Sequence, residues 1–116
     1  MSNLPKLHAA MRFCRREHAQ LRASQLELLL VIHLRPGQTQ SELANDCSLT
    51  LSAVSRAVDV MGSKGRSDNK GQVAMQWVET RDNPHDERIK QVYLTQKGSE
   101  FLHLLEMITY GSTVQE

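Results

Sequence analysis

The chain has little of what builds covalent staples or metal sites. Its two cysteines, Cys14 and Cys47, form no CxxC pair, and its five histidines are scattered without HxxxH or HExxH spacing. That excludes a disulfide framework and the usual structural zinc ligands, so no metal and no cofactor are expected. Both cysteines fall where a helix wants an apolar residue. A buried small hydrophobe is the plain reading of each, and a redox sensor the sharper one. Aromatic residues are only 4% of the chain, and the longest apolar run, residues 28–32, is far shorter than the roughly 18 residues of a membrane span. Residues 1–7 contain Pro5 and Lys6 but no apolar stretch of signal-peptide length, which predicts a cytoplasmic protein with no membrane partner. Charge of one sign is also scarce. The net value is +1, too close to neutral for a non-specific polyanion binder.

What is present is an ordinary globular composition in 116 residues, 40% hydrophobic and 23% charged, enough for one domain with its own core. The charge is unevenly spread. Residues 1–35 carry six basic and two acidic side chains, whereas residues 36–61 carry Arg56 against Glu42, Asp46 and Asp59. Any nucleic-acid contact must therefore come from a few placed residues.

Leu4, Leu7, Met11, Cys14, His18 and Leu21 recur at steps of three and four, a helical stripe that reads either as core or as a seam shared with another chain, the seam being favoured. Ser24-Gln25-Leu26-Glu27 has capping-box spacing and predicts a second helix, apolar almost all round and ended by Arg35-Pro36-Gly37. Thr39-Gln40-Ser41-Glu42 is another box, opening a short helix to about Cys47, and Thr50 is a fitting N-cap for a helix over 51–61. Residues 63–72 read as a glycine-bracketed loop. Residues 73–81 and 89–94 read as the strands of a hairpin around Asp82-Asn83-Pro84-His85, and Thr95 as the cap of a last helix with two apolar faces. Trp77 reads as core at the root of that hairpin, in preference to a ligand platform.

The result is a mainly α protein with a β-hairpin wing, a winged helix-turn-helix. It is one domain over 1–116, with the helix-turn-helix at 39–61, the wing at 73–95, and terminal helices in 1–22 and 96–116. Leu43, Cys47, Leu49, Val54 and Ala57 have the spacing of two short helices crossing steeply, which leaves Ser52, Ala53, Ser55, Arg56 and Asp59 facing out. Short polar side chains with one arginine suit a major groove, where a guanidinium can offer two donors to a guanine edge. No catalytic constellation is present: Ser52 and Ser55 have no His/Asp pattern, and Gly62-Ser63-Lys64-Gly65 lacks phosphate-loop spacing. An enzyme is not expected.

Thr39-Gln40-Ser41-Glu42-Leu43-Ala44, followed by Ser52-Ala53-Val54-Ser55-Arg56-Ala57-Val58-Asp59, resembles the helix-turn-helix of the MarR-family regulators. Asp86-Glu87-Arg88 and Val92-Tyr93-Leu94-Thr95-Gln96-Lys97-Gly98 resemble that family's wing and its exit into a helix. The match spans roughly residues 24–105. The resemblance implies a repressor that binds an inverted repeat of double-stranded DNA as a homodimer. Its first paired helix would lie across the DNA backbone, its second in the major groove, and the wing arginine in the minor groove. The DNA-binding candidates are then Thr39, Gln40, Ser41, Thr50, Ser52, Ala53, Ser55 and Arg56, with Arg88 on the wing and Asp86 orienting it. A plain hairpin salt bridge is the other reading of that last pair.

Three departures from the family pattern stand out. Ser48 occupies the turn where glycine is common, which predicts a left-handed backbone on a non-glycine residue. Residues 66–76 form an insert whose Arg66 and Lys70 are extra DNA or partner contact candidates, or simply solvated. The terminal helices, which build the family's dimer, are short. An effector ligand is not specified by any residue. The competing functions are a winged-helix protein-interaction adaptor and an architectural or replication-associated DNA-binding protein.

Overall fold

The computed structural model describes residues 3–62 and 75–114, the last four by their backbone alone. Helices α1 (Leu4–Glu17), α2 (Ala23–Leu34), α3 (Gln40–Cys47) and α4 (Leu51–Met61) precede a hairpin of β2 (Val78–Asn83) and β3 (Asp86–Leu94), and α5 (Gln96–Val114) closes the chain. A two-residue strand β1 (Gln38–Thr39), not anticipated from the sequence, pairs with β3 to give the antiparallel order β1-β3-β2.

The core is built from α2, α3 and α4. Leu28, Leu29, Ile32, Leu43, Val54 and Met61 are fully buried there, each contributing about 1.5–3 kcal/mol of transfer free energy. The two cysteines join this core as buried free thiols. The apolar girdle of α2 is not wholly enclosed, because Leu30 and Leu34 remain exposed. Its start also differs from the expected box at Ser24. The helix begins at Ala23, and the buried Gln25 side chain accepts the Arg22 N–H at 2.9 Å, so Ser24 lies inside the first turn.

The first stripe divides in two. The α-helix stops at Glu17, where His18 is extended, leaving His18 and Leu21 beyond it. Ala10 and Cys14 turn inward, while Leu4, Leu7 and Met11 stay exposed. The inward face rests on α5 through three stacked rings. Phe13 and Phe101 have centroids 5.5 Å apart, and Phe101 lies 4.2 Å from buried Trp77, which sits at the wing root as expected.

The strands of the wing lie nearer its tip, and its turn is tighter, than the sequence suggests. His85 N–H donates to Asn83 Oδ1 at 2.8 Å, closing a turn that draws Asp82 and Asn83 into β2 and residues 86–88 into β3. At the other end, residues 75–77 are not strand. The Met75 and Trp77 amides donate to the Val60 and Met61 carbonyls, at 3.4 and 2.8 Å, and so tie the wing root to the end of α4. Residues 73 and 74 of the expected strand, and the expected loop at 63–72, lie outside the described residues. Thr95 caps α5 as predicted, its Oγ1 accepting from Gly98 N–H at 3.1 Å and donating to the Gln76 carbonyl at 2.6 Å. Gly98 is required here: a Cβ would stand 2.1 Å from the Trp77 carbonyl oxygen.

Candidate functional site

Helix α3 is held at its start by reciprocal capping. Thr39 Oγ1 accepts from Glu42 N–H at 3.1 Å, and Glu42 Oε1 accepts from Thr39 N–H at 2.9 Å. Thr39 also pairs with Gln91 of β3 in the sheet, so one residue anchors the helix pair to the wing. Gly37, at φ +89°, makes the reversal into this strand, and its carbonyl accepts from Gln91 Nε2 at 2.9 Å. Thr39 and Gln40 are half-buried, and Ser41 is exposed beside them. A side-chain clamp braces the same junction. Asp46 Oδ2 accepts from Arg35 Nη1 at 2.6 Å and from Gln38 Nε2 at 2.8 Å, linking the end of α2 to α3.

The turn between α3 and α4 passes through Ser48 at φ 55°, ψ 40°, the left-handed geometry expected from the sequence. Leu49 N–H closes it on the Ala44 carbonyl at 2.9 Å. Thr50 then caps α4, its Oγ1 accepting from Ala53 N–H at 3.0 Å. With Val54, Val58 and Met61 buried, the opposite face of α4 presents Ser52, Arg56 and Asp59 to solvent, with Ser55 half-buried between them. Ala53 is also half-buried rather than fully outward, since it lies on the flank of the helix. Leu51, Ser52, Ser55 and Arg56 line one shallow, open depression on this face. Arg56 makes no ion pair among the described residues.

The wing carries three cations, each paired with an acid. Arg88 is bidentate to Asp86, Nε to Oδ1 at 3.1 Å and Nη2 to Oδ2 at 3.0 Å, and its own backbone N–H donates to Oδ1 at 3.0 Å. These bonds, the guanidinium contact first, hold the Asp86 carboxyl below its ordinary pKa and push Arg88 up. Even so paired, the Arg88 side chain is 88% exposed, aimed outward from the tip of the wing. Lys90 pairs with Asp82 across the strands. Arg81 binds Glu79 and lies 4.2 Å over the Tyr93 ring.

The structure therefore gathers Ser52, Ser55 and Arg56 on one face, joins Asp86 to Arg88, and assigns Thr39 and Thr50 visible capping work. Arg66 and Lys70 lie outside the described residues. Sequence reasoning missed Leu51, which shares the α4 depression, and the wing cations Arg81 and Lys90. Alternation along the strands could have found those two. The thiols of Cys14 and Cys47 are both pushed up in pKa, mainly by burial, which disfavours the reactive thiolate. The described residues hold no group of His, Cys, Asp and Glu side chains able to bind a metal, and no helix long and apolar enough to cross a membrane.

No family model and no curated protein matches the sequence. Solved structures do match. A MarR family transcription regulator, SP03579, superposes with TM-score 0.68 at 20% identity, over 92% of this chain and 62% of its own. RV1404 from Mycobacterium tuberculosis gives TM-score 0.76 at 14% identity, over 95% and 68% of the two chains. A mutant MarR from E. coli, crystallised with operator DNA, gives TM-score 0.64 at 25% identity, over 95% and 72%. The chain thus spans about two-thirds of the length of these proteins.

Proposed function

We propose that this chain, whose fold is the winged helix-turn-helix of the MarR-type regulators, is a sequence-specific double-stranded DNA-binding regulator. It acts as a repressor on an inverted repeat, as a homodimer and without catalytic activity. The observation that carries the reading is the outward face of α4. Arg56 stands there exposed and without an ion-pair partner among the described residues, in line with Ser52 and Ser55. A cation left free of its neighbours keeps its donors for a base edge. Thr39, Gln40, Ser41 and Thr50, at the starts of the two helices, suit contacts to phosphates. The wing extends the footprint. Asp86 holds the Arg88 fork in one direction, and a cation so placed suits a narrow minor groove. The structure of a similar protein with operator DNA supports the same ligand class.

Selection of bound duplexes from a random pool tests this directly. A palindromic consensus is expected. On that site Arg56→Ala should lose roughly 1–3 kcal/mol, and much less on random DNA. Equal losses on both would make Arg56 a phosphate contact. Selection that yields no consensus would favour the architectural reading, and duplex binding absent at every salt concentration would favour a protein-interaction module. Arg88→Ala should weaken binding more than joint replacement of Arg66 and Lys70 by alanine, which lowers the salt slope by at most about one per lost contact per subunit.

A further inference from the structure

Leu51 is the first residue of α4 and is 52% exposed, and it is not among the core residues. The cap is supplied by Thr50. The apolar residue before the cap, Leu49, packs on the core that contains Val54, the pairing that staples a helix start. Leu51 adds to neither. It shares the shallow depression on the outward face with Ser52, Ser55 and Arg56, and it is the sole apolar member of that set. Residues 51 and 55, and 52 and 56, are one helical turn apart, so all four address the same surface.

We propose that Leu51 is a specificity-determining residue that packs against the 5-methyl group of a thymine. This rests on the DNA-binding reading given above. The edges of the base pairs in the major groove present donors, acceptors and one apolar group, the thymine methyl. A helix entering that groove does so with its N-terminal residues foremost. Leu51 therefore stands where base edges pass, with apolar surface still to bury, beside three side chains that can read polar edges. Packing one methyl against it removes both from water, an effect of about threefold to fivefold in affinity for a group of this size.

The test uses the full chain and the duplex selected from the random pool. Each thymine is replaced in turn by uracil, which lacks only the methyl. For the unmodified protein, one position in each half-site should show a threefold to fivefold loss. Leu51→Ala should bind the thymine duplex more weakly by a similar factor and show no uracil penalty at that position. Leu51→Met, which keeps apolar reach, should retain the penalty, and so should Arg56→Ala, which removes a different contact. Matching thermal unfolding would show that the variants are folded. The inference is overturned if Leu51→Ala shows the same uracil penalties as the unmodified protein, or if the unmodified protein shows none while binding its site. If the unmodified protein binds no duplex at any salt concentration, the DNA-binding reading falls first and this inference with it.

Discussion

Arg88 takes its direction from the residue two places before it. Residues i and i+2 of a strand share a face, so the Asp86 carboxylate can accept both arms of the guanidinium and the Arg88 amide at once. The folded pKa of Asp86 is lowered by these bonds. The pairing therefore contributes above the unfolded pKa and is lost as pH falls through the folded one, so the wing tip is intact at neutral pH. Arg88→Ala should raise the Asp86 titration midpoint towards the ordinary carboxylate value, because the guanidinium bonds are the largest cause of its lowering. Carbon-detected NMR of the side-chain carboxyl would measure this, and an unmoved midpoint would mean that the pair does not form in solution. The Asp86–Arg88 pair was expected from the resemblance of Asp86-Glu87-Arg88 to the family's wing. Lys90 with Asp82 was not, because cross-strand partners depend on register and register depends on how tightly the turn closes.

Ser48 is the joint between the two helices of the central motif. A non-glycine residue in left-handed geometry costs about 1–2 kcal/mol, while glycine adds about 0.5–1 kcal/mol of unfolded-state entropy. Ser48→Gly should therefore stabilise the domain by about 0.5–1 kcal/mol in urea unfolding without changing the α4 face. A loss of stability would show that the serine side chain has a role its backbone does not reveal. The start of α3 was legible because the Thr39–Glu42 box is a purely local device. The start of α2 was not, since Arg22 with Gln25 and Ser24 with Glu27 have the same three-residue spacing. Burial of Gln25 decides between them. Strand β1, with two residues, is too short for any alternation to show. It exists because Gly37 turns the chain onto β3.

At the scale of the molecule, exposed apolar surface is concentrated on the first and last helices, which pack against each other. Leu7 and Met11 on α1, and Leu104 and Met107 on α5, are all about half exposed. Arg12 and Arg15 flank the first pair, and Glu100 and Glu106 the second, so two copies can match charge while burying both stripes. Sedimentation at micromolar concentration should give a dimer, and Leu7→Glu with Leu104→Glu should give a folded monomer with weakened binding to the duplex selected from the random pool. A native protein that sediments at 13.1 kDa would remove the two-fold assembly. The sequence by itself determined the central helix pair, the core place of Trp77 and the polar face carrying Ser52 and Arg56, while the left-handed turn at Ser48 was expected from the family's turn pattern. Caps, turns and hydrophobic periods act over a few residues and leave a local trace. Tertiary structure alone decided that Leu4, Leu7 and Met11 stay outside although they share a stripe with buried Cys14, and that β1 joins β3. Each of these depends on which neighbour covers a face, and no local spacing records that.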